Sequence, residues 1–139
     1  MRRAEPDDGP AIAEVWLRSR LAAEVPPPAH NDDEVRGWVR EVLLPSCEVW
    51  VAVEGDEIVG MMALDGEWVE QLYIDPDHQR RGLGARLLGV AQAARDSLAL
   101  WTFESNLAAQ RFYEAHGFTR SGLPSADNEE RAPAVCYRW

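Results

Sequence analysis

The sequence predicts a mixed α/β sheet in one domain, its central part running strand-helix-strand-helix. Three observations predict it: two stretches of helical period at the start, three short strands joined by turns in the middle, and an alternation of helix and strand from about residue 83 onward. The 139 residues suffice for one core and are few for two. With 46% hydrophobic and 27% charged residues the chain is too apolar to stay disordered.

Each element has a local reason. The first helix is expected from about Asp8 to Glu24, with Ile12, Val15, Trp16 and Leu21 as its apolar stripe. Pro26-Pro27-Pro28 joins it to the second helix and is too short to separate domains. Asn31 can cap the second helix while Glu34 bonds back to it, and Val35, Trp38, Val39 and Val42 then face one side. The period changes to two in Val49–Val53, a turn follows at Glu54-Gly55-Asp56, and Ile58–Leu64 returns as the second strand of a hairpin. Asp65-Gly66 suits a second tight turn, and Trp68–Ile74 is a third antiparallel strand stopped by Asp75-Pro76.

Leu83, Leu87, Leu88 and Ala91 fall on one helical face, with Arg86 and Arg95 off it. Ser97–Phe103 reads as a strand, and residues 106–116 as a helix closed by Gly117. Ser121–Pro133 is rich in turn residues and is expected as a loop before a last strand, Ala134–Trp139. The expected order is ααβββαβαβ, with room for a short strand ahead of the first helix.

Charge narrows the choice of partners. Twenty-four acidic residues against fourteen arginines and no lysine give a formal charge of −10, which opposes general affinity for nucleic acid or anionic membranes. Sixteen of the acidic residues lie in residues 1–70, so the first half could present an acidic approach to a cationic substrate. Cys47 and Cys136 cannot form a disulfide scaffold, and with His30, His78 and His116 isolated from one another no metal site is expected. The start turns acidic at once and no apolar run approaches the roughly twenty residues of a membrane span, so a soluble, cytoplasmic chain is expected.

The most informative stretch runs from Leu72 to Arg86, where a strand ends and a glycine-bearing turn, Gln79-Arg80-Arg81-Gly82-Leu83-Gly84-Ala85-Arg86, opens a helix. Amides at a helix N-terminus point outward at the positive end of its dipole, and glycines let an anion reach the backbone. Arg80, Arg81 and Arg86 add positive charge there. Leu87 stands where a dinucleotide loop has its third glycine, and a mononucleotide loop would need lysine.

Two motifs together resemble the GNAT N-acetyltransferase superfamily. One is the Gln79–Gly84 loop, in the pattern Gln/Arg-x-x-Gly-x-Gly/Ala; the other is Asn106-Leu107-Ala108-Ala109-Gln110-Arg111-Phe112-Tyr113-Glu114-Ala115-His116-Gly117-Phe118. The resemblance covers residues 46–121 well and the flanks by element order. It implies the acyl-CoA N-acyltransferase fold and acetyl-CoA as co-substrate, in a V-shaped gap between the strand at Trp68–Ile74 and the strand at Ser97–Phe103. It places the pyrophosphate on the amides of Arg81–Ala85, the pantetheine arm along Leu72, Tyr73 and Ile74, and a contact to that arm at Asn106. A homodimer is a further expectation, since members of the family often pair.

Acetyl transfer from a thioester to an amine needs a neutral amine, an oriented carbonyl and a protonated leaving thiol, and no metal. Tyr113 matches the family's tyrosine; a phenol with a pKa of about 10 keeps a proton to give at neutral pH. Glu70 is the candidate base, because strand alternation would set it on the face of Trp68, Leu72 and Ile74; Glu67 and Glu104 are alternatives, as is a chain of waters. Trp16 and Trp38 could wall an acceptor pocket, and Asp127, Glu129 and Glu130 could meet a cationic acceptor. The expected acceptor is the primary amine of a small cationic metabolite. A protein N-terminus or lysine is the alternative within the same chemistry, and a non-catalytic acyl-CoA-binding module is the alternative outside it.

Overall fold

Alternation in the middle of the chain builds a sheet that the flanking helices cover on both faces. The computed structural model describes residues 1–23 and 29–139. The Pro26-Pro27-Pro28 connection and the Glu24 end expected for the first helix lie outside the described residues.

A two-residue strand, β1 (Arg2–Arg3), precedes a 3-10 turn (Pro6–Asp8) and helix α1 (Gly9–Ala22). Helix α2 (Asp32–Trp38) starts on the expected capping box: the Asn31 side chain accepts from Glu34 N–H at 2.8 Å, and the Glu34 carboxylate accepts from Asn31 N–H at 3.1 Å. It continues through a π-helical turn (Val39–Leu43) into the short α3 (Leu44–Ser46). In that turn Leu44 N–H reaches back five residues to Val39, just ahead of Pro45, which has no N–H to give. The wider turn shifts the phase of the stripe. Val35 and Val39 are buried as expected, whereas Val42 is half exposed, and on α1 Leu21 points to solvent instead of joining Ile12 and Val15.

The strands β2 (Glu48–Glu54), β3 (Glu57–Asp65) and β4 (Trp68–Ile74) form the expected meander, with left-handed glycines at both turns, Gly55 and Gly66. Then come a 3-10 turn (Pro76–His78), helix α4 (Leu83–Ala94), strand β5 (Ala99–Phe103), helix α5 (Leu107–Ala115), and strands β6 (Thr119–Ser125) and β7 (Ala134–Arg138). The start of the expected Ser121–Pro133 loop, through Ser125, is therefore strand. β6 pairs with β7 through Ser121↔Cys136 and Ser125↔Ala134, and the register shift between them accommodates Gly122 and Pro124 on an edge strand.

The sheet order is β1-β2-β3-β4-β5-β7-β6, antiparallel except where β4 meets β5. One face packs Ile12, Val15, Val39 and Leu43 on Val49, Val51, Met61 and Ala63; the other packs Leu83, Leu87, Leu88, Tyr113 and Phe118 on Met62, Leu64, Val69 and Leu100. Gly60 in β3 is forced by this second face: a Cβ there would stand 2.6 Å from Ile74 Cδ1 and 3.2 Å from the Ala52 Cβ. Gly60→Ala is expected to cost about 1–3 kcal/mol, the usual toll of overpacking, measurable by chemical denaturation.

Candidate active site

β4 and β5 run parallel but pair only at Trp68↔Ala99, where Ala99 N–H donates to Glu67 O at 2.9 Å. Beyond that bridge the strands separate, and two neighbouring spaces lie at the splayed end. The larger, about 600 Å³, is lined by the ends of α1 and β4, the turn into α4, and the start of α5. The smaller, a slot of about 180 Å³, lies between Val69–Tyr73 of β4 and Trp101–Phe103 of β5. Leu72, Tyr73, Asn106, Ala109 and Tyr113 belong to both.

The turn into α4 gathers unpaired backbone amides. The buried Asp75 carboxylate accepts Asp77 N–H at 2.9 Å and bends the chain out of β4. Arg80 (φ 65°) and Gly82 (φ 77°) are both left-handed, the conformation that gathers successive amides into a concavity. Gly82 caps α4, whose first backbone bond runs from Arg86 N–H to Gly82 O at 3.0 Å, so the amides of Leu83, Gly84 and Ala85 have no acceptor within the helix. The two glycines do different work. A Cβ at Gly82 would meet no heavy atom within 4 Å, leaving room for a ligand, whereas a Cβ at Gly84 would sit 3.4 Å from the Phe112 ring, where α4 packs on α5.

Of the residues expected to hold the cofactor, Leu72, Tyr73, Ile74, Gln79, Arg80, Gly82, Leu83, Gly84, Ala85, Asn106 and Tyr113 surround the larger cavity. Arg81 and Arg86 do not: the Arg81 guanidinium pairs with Glu54 at 3.2 Å, and Arg86 is exposed on α4. Gln79 turns toward the strand, its amide donating to Ile74 O at 3.1 Å, and the buried Ser19 hydroxyl donates to the same carbonyl at 3.0 Å. Asn106 caps α5 by accepting Ala109 N–H at 3.1 Å. Ser19, Ala22 and Ala23 of α1 complete the wall and were not expected; a buried polar Ser19 on an apolar helix face is the signal that could have found them.

Tyr113 is 8% exposed, packed among Phe112, Phe118 and Tyr137. Burial, and then the nearby Tyr73 phenol, push its pKa far above the ordinary tyrosine range, so the phenol holds its proton throughout the physiological range.

Glu70 departs from expectation. Leu64 pairs with Val69 and Ala63 with Gln71, so Glu70 is the extra residue of a β-bulge. Alternation is broken there: Val69, not Glu70, joins Leu72 and Ile74 against the α4 cluster. Glu70 lines the slot instead, and partial burial, then the Asp65 charge, raise its pKa above the usual carboxylate range. Glu67 accepts a hydrogen bond from Ser97 and Glu104 pairs with Arg120 at 3.4 Å; neither lines the slot.

Trp16 and Trp38 pack edge to face with centroids 6.0 Å apart and line neither space. Glu129 and Glu130 are taken by His30 at 2.8 Å and Arg20 at 3.4 Å, so they are not held ready for an acceptor; Asp127 is exposed.

The fold, with its splayed β4–β5 pair and glycine-bearing turn into α4, is that of an acyltransferase. The acetyltransferase (GNAT) domain pattern matches residues 45–120, and the chain belongs to the GNAT family. It is an acetyl-CoA-dependent N-acetyltransferase, with acetyl-CoA as co-substrate. It is 33% identical over 129 residues to the peptidyl-lysine N-acetyltransferase YjaB of Escherichia coli (strain K12), covering 92% of this chain and 87% of that one. The solution structure of apo YjaB superposes with a TM-score of 0.82 at 31% identity, covering 99% of this chain and 95% of that one. The fold also matches yncA of Salmonella typhimurium, a putative acetyltransferase solved with acetyl-CoA, with a TM-score of 0.73 at 23% identity over 99% of this chain and 91% of the other. Among the described residues no helix is long and apolar enough to cross a membrane.

Proposed function

We propose that the acceptor is the primary amine of a small cationic metabolite, carried on a slim alkyl arm, and that it attacks in a ternary complex within the β4–β5 gap. The observation that supports this is the 180 Å³ slot, which shares Tyr73 and Tyr113 with the larger cavity and carries Glu70 on its lining. The slot has room for an unbranched amine, and a carboxylate stands where a cation would enter.

The assignment of roles follows the chemistry of the lining. The amides of Leu83–Ala85, with the Arg80 side chain, suit the diphosphate of acetyl-CoA. The β4 edge at Leu72–Ile74, left without a strand partner by the splay, suits the amides of the pantetheine arm, with Asn106 facing it. Bound acetyl-CoA supplies the thioester carbonyl. Glu70 takes one proton from the incoming ammonium, and the freed amine forms the C–N bond at the thioester carbonyl. The C–S bond breaks as Tyr113 gives its proton to the departing sulfur, and the second proton lost by the nitrogen returns to Tyr113. Holding both substrates in one gap supplies most of the acceleration. Cys47 and Cys136 are free thiols, consistent with a reducing cytoplasm.

A second reading has a specific observation behind it: the relative at 33% identity is named for peptidyl-lysine, whose side chain is itself a slim primary amine. A screen with thiol release as readout separates the two, comparing free n-alkylamines and diamines with a lysine-containing peptide. Faster release with the free amines is expected; faster release with the peptide favours the second reading, and no release with any primary amine would refute both.

Glu70→Gln tests the base. A base works deprotonated, so kcat/KM rises with pH through its pKa, and the raised value moves this limb above the ordinary carboxylate figure of about 4.3 toward neutrality. The variant is expected to lose that limb and about 10²-fold in kcat/KM at neutral pH. A surviving limb would remove Glu70 from the proposal.

A further inference from the structure

Arg20 is 7% exposed, an unusual place for a guanidinium. It sits on α1 at the side of the β4–β5 gap, and its contacts come from elements that the backbone leaves apart. Its Cζ lies 4.9 Å from the Trp16 ring centre and 5.4 Å from that of Phe103 on β5, and Nη2 is 3.4 Å from a carboxylate oxygen of Glu130 in the β6–β7 loop. Trp16 in turn holds β4: its indole N–H donates to Gln71 Oε1 at 3.0 Å, and its ring packs edge to face on Tyr73 with centroids 6.1 Å apart. The loop end of this chain is firm, because the Asn128 side chain donates to Ala132 O at 2.8 Å and accepts from Ala132 N–H at 3.2 Å. Tyr73, Phe103 and Asn128 all line the slot.

We infer that Arg20 is a positioning residue for acetyl transfer: it ties β5 and the β6–β7 loop to α1 and β4, and so sets the width of the slot through which the acceptor reaches the donor. Past Trp68↔Ala99 no strand pairing joins β4 to β5, so side chains must set the separation of their far ends. A planar guanidinium can lie against Trp16 and Phe103 while bonding Glu130; an ammonium is a compact charge that offers one such contact at a time. Arg20 lines neither space, which makes it a spacer rather than a substrate ligand. The inference rests on the slot as the acceptor's route.

The test has two arms. In the first, amide hydrogen exchange is followed on the whole chain and its Arg20→Gln and Glu130→Gln variants without substrate. Faster exchange at residues 126–132 is expected in both, with β2, β3 and α4 unchanged. Unchanged exchange in that loop, or faster exchange through β2, β3 and α4 as well, would overturn the inference. Glu130→Gln alone decides this arm should Arg20→Gln fail to fold. In the second arm, n-butylamine is compared with its branched isomer sec-butylamine as acceptor. Arg20→Gln is expected to raise KM for n-butylamine by about tenfold to 10²-fold and to shrink its advantage over sec-butylamine, while the Kd for CoA holds. Arg20→Lys should fall between. Equal selectivity in variant and parent, or a CoA Kd that weakens in step with KM, would overturn the inference. Should the parent chain acetylate neither amine, the reading of the slot as an amine route fails, and hydrogen exchange alone still decides whether Arg20 ties the loop.

Discussion

Tyr113→Phe is expected to lower kcat by at least about tenfold, toward the 10²–10⁴-fold range for loss of a general acid, while the Kd for CoA stays close to that of the parent chain. The substitution removes one oxygen and leaves the ring among Phe112, Phe118 and Tyr137, so the fold should hold. Burial keeps this phenol protonated well past neutrality, so the parent enzyme should show no alkaline limb from Tyr113 in the physiological range. Steady-state kinetics and titration calorimetry on the same preparations check both statements. An unchanged kcat would remove Tyr113 from the chemistry, and a lost CoA affinity would make it a binding residue.

Gly82→Val should have the other large effect, on binding. A Cβ at Gly82 finds open space, so the site resists substitution for a different reason: its φ of 77° is one that a β-branched residue scarcely adopts. Holding valine there costs of order 1–3 kcal/mol, and any side chain would also stand where a ligand approaches the Leu83–Ala85 amides. CoA affinity is expected to fall by about tenfold or more, since about 1.4 kcal/mol is a factor of ten. Gly84→Ala is the informative contrast. Its Cβ would meet the Phe112 ring at 3.4 Å, an ordinary van der Waals contact, inside a helix that favours alanine, so stability should hold or rise by up to about 1 kcal/mol.

The turn from β4 to α4 was legible because every cue in it is local: Asp75-Pro76 ends a strand, two glycines follow, and a helical stripe begins at Leu83. The Asn31–Glu34 capping box was legible for the same reason. Strand β6 was not, since Gly122 and Pro124 carry turn chemistry, and only the pairing of Ser121 and Ser125 with β7 on either side carries the strand past the left-handed Gly122. Glu70 was assigned a face by a period of two, and one inserted residue in the register undoes that count. Val42 was misplaced by a π turn, which no apolar pattern announces. Arg20 was invisible as a spacer because its partners Phe103 and Glu130 lie far along the chain and meet it only once the sheet has formed.

The acidic first half has a structural use as well. Asp8 pairs with Arg2 at 2.8 Å, Glu14 with Arg36 at 3.0 Å and Glu48 with Arg95 at 3.2 Å, so part of that charge ties the N-terminus to α1, α1 to α2, and β2 to the end of α4.

The most direct test of the site is a titration of isotopically labelled protein with CoA, followed by amide NMR. The largest shifts are expected at Gly82–Ala85 and along Leu72–Ile74, with smaller ones at Asn106 and Tyr113. Shifts that leave the Gly82–Ala85 amides untouched while CoA binds elsewhere would contradict the account.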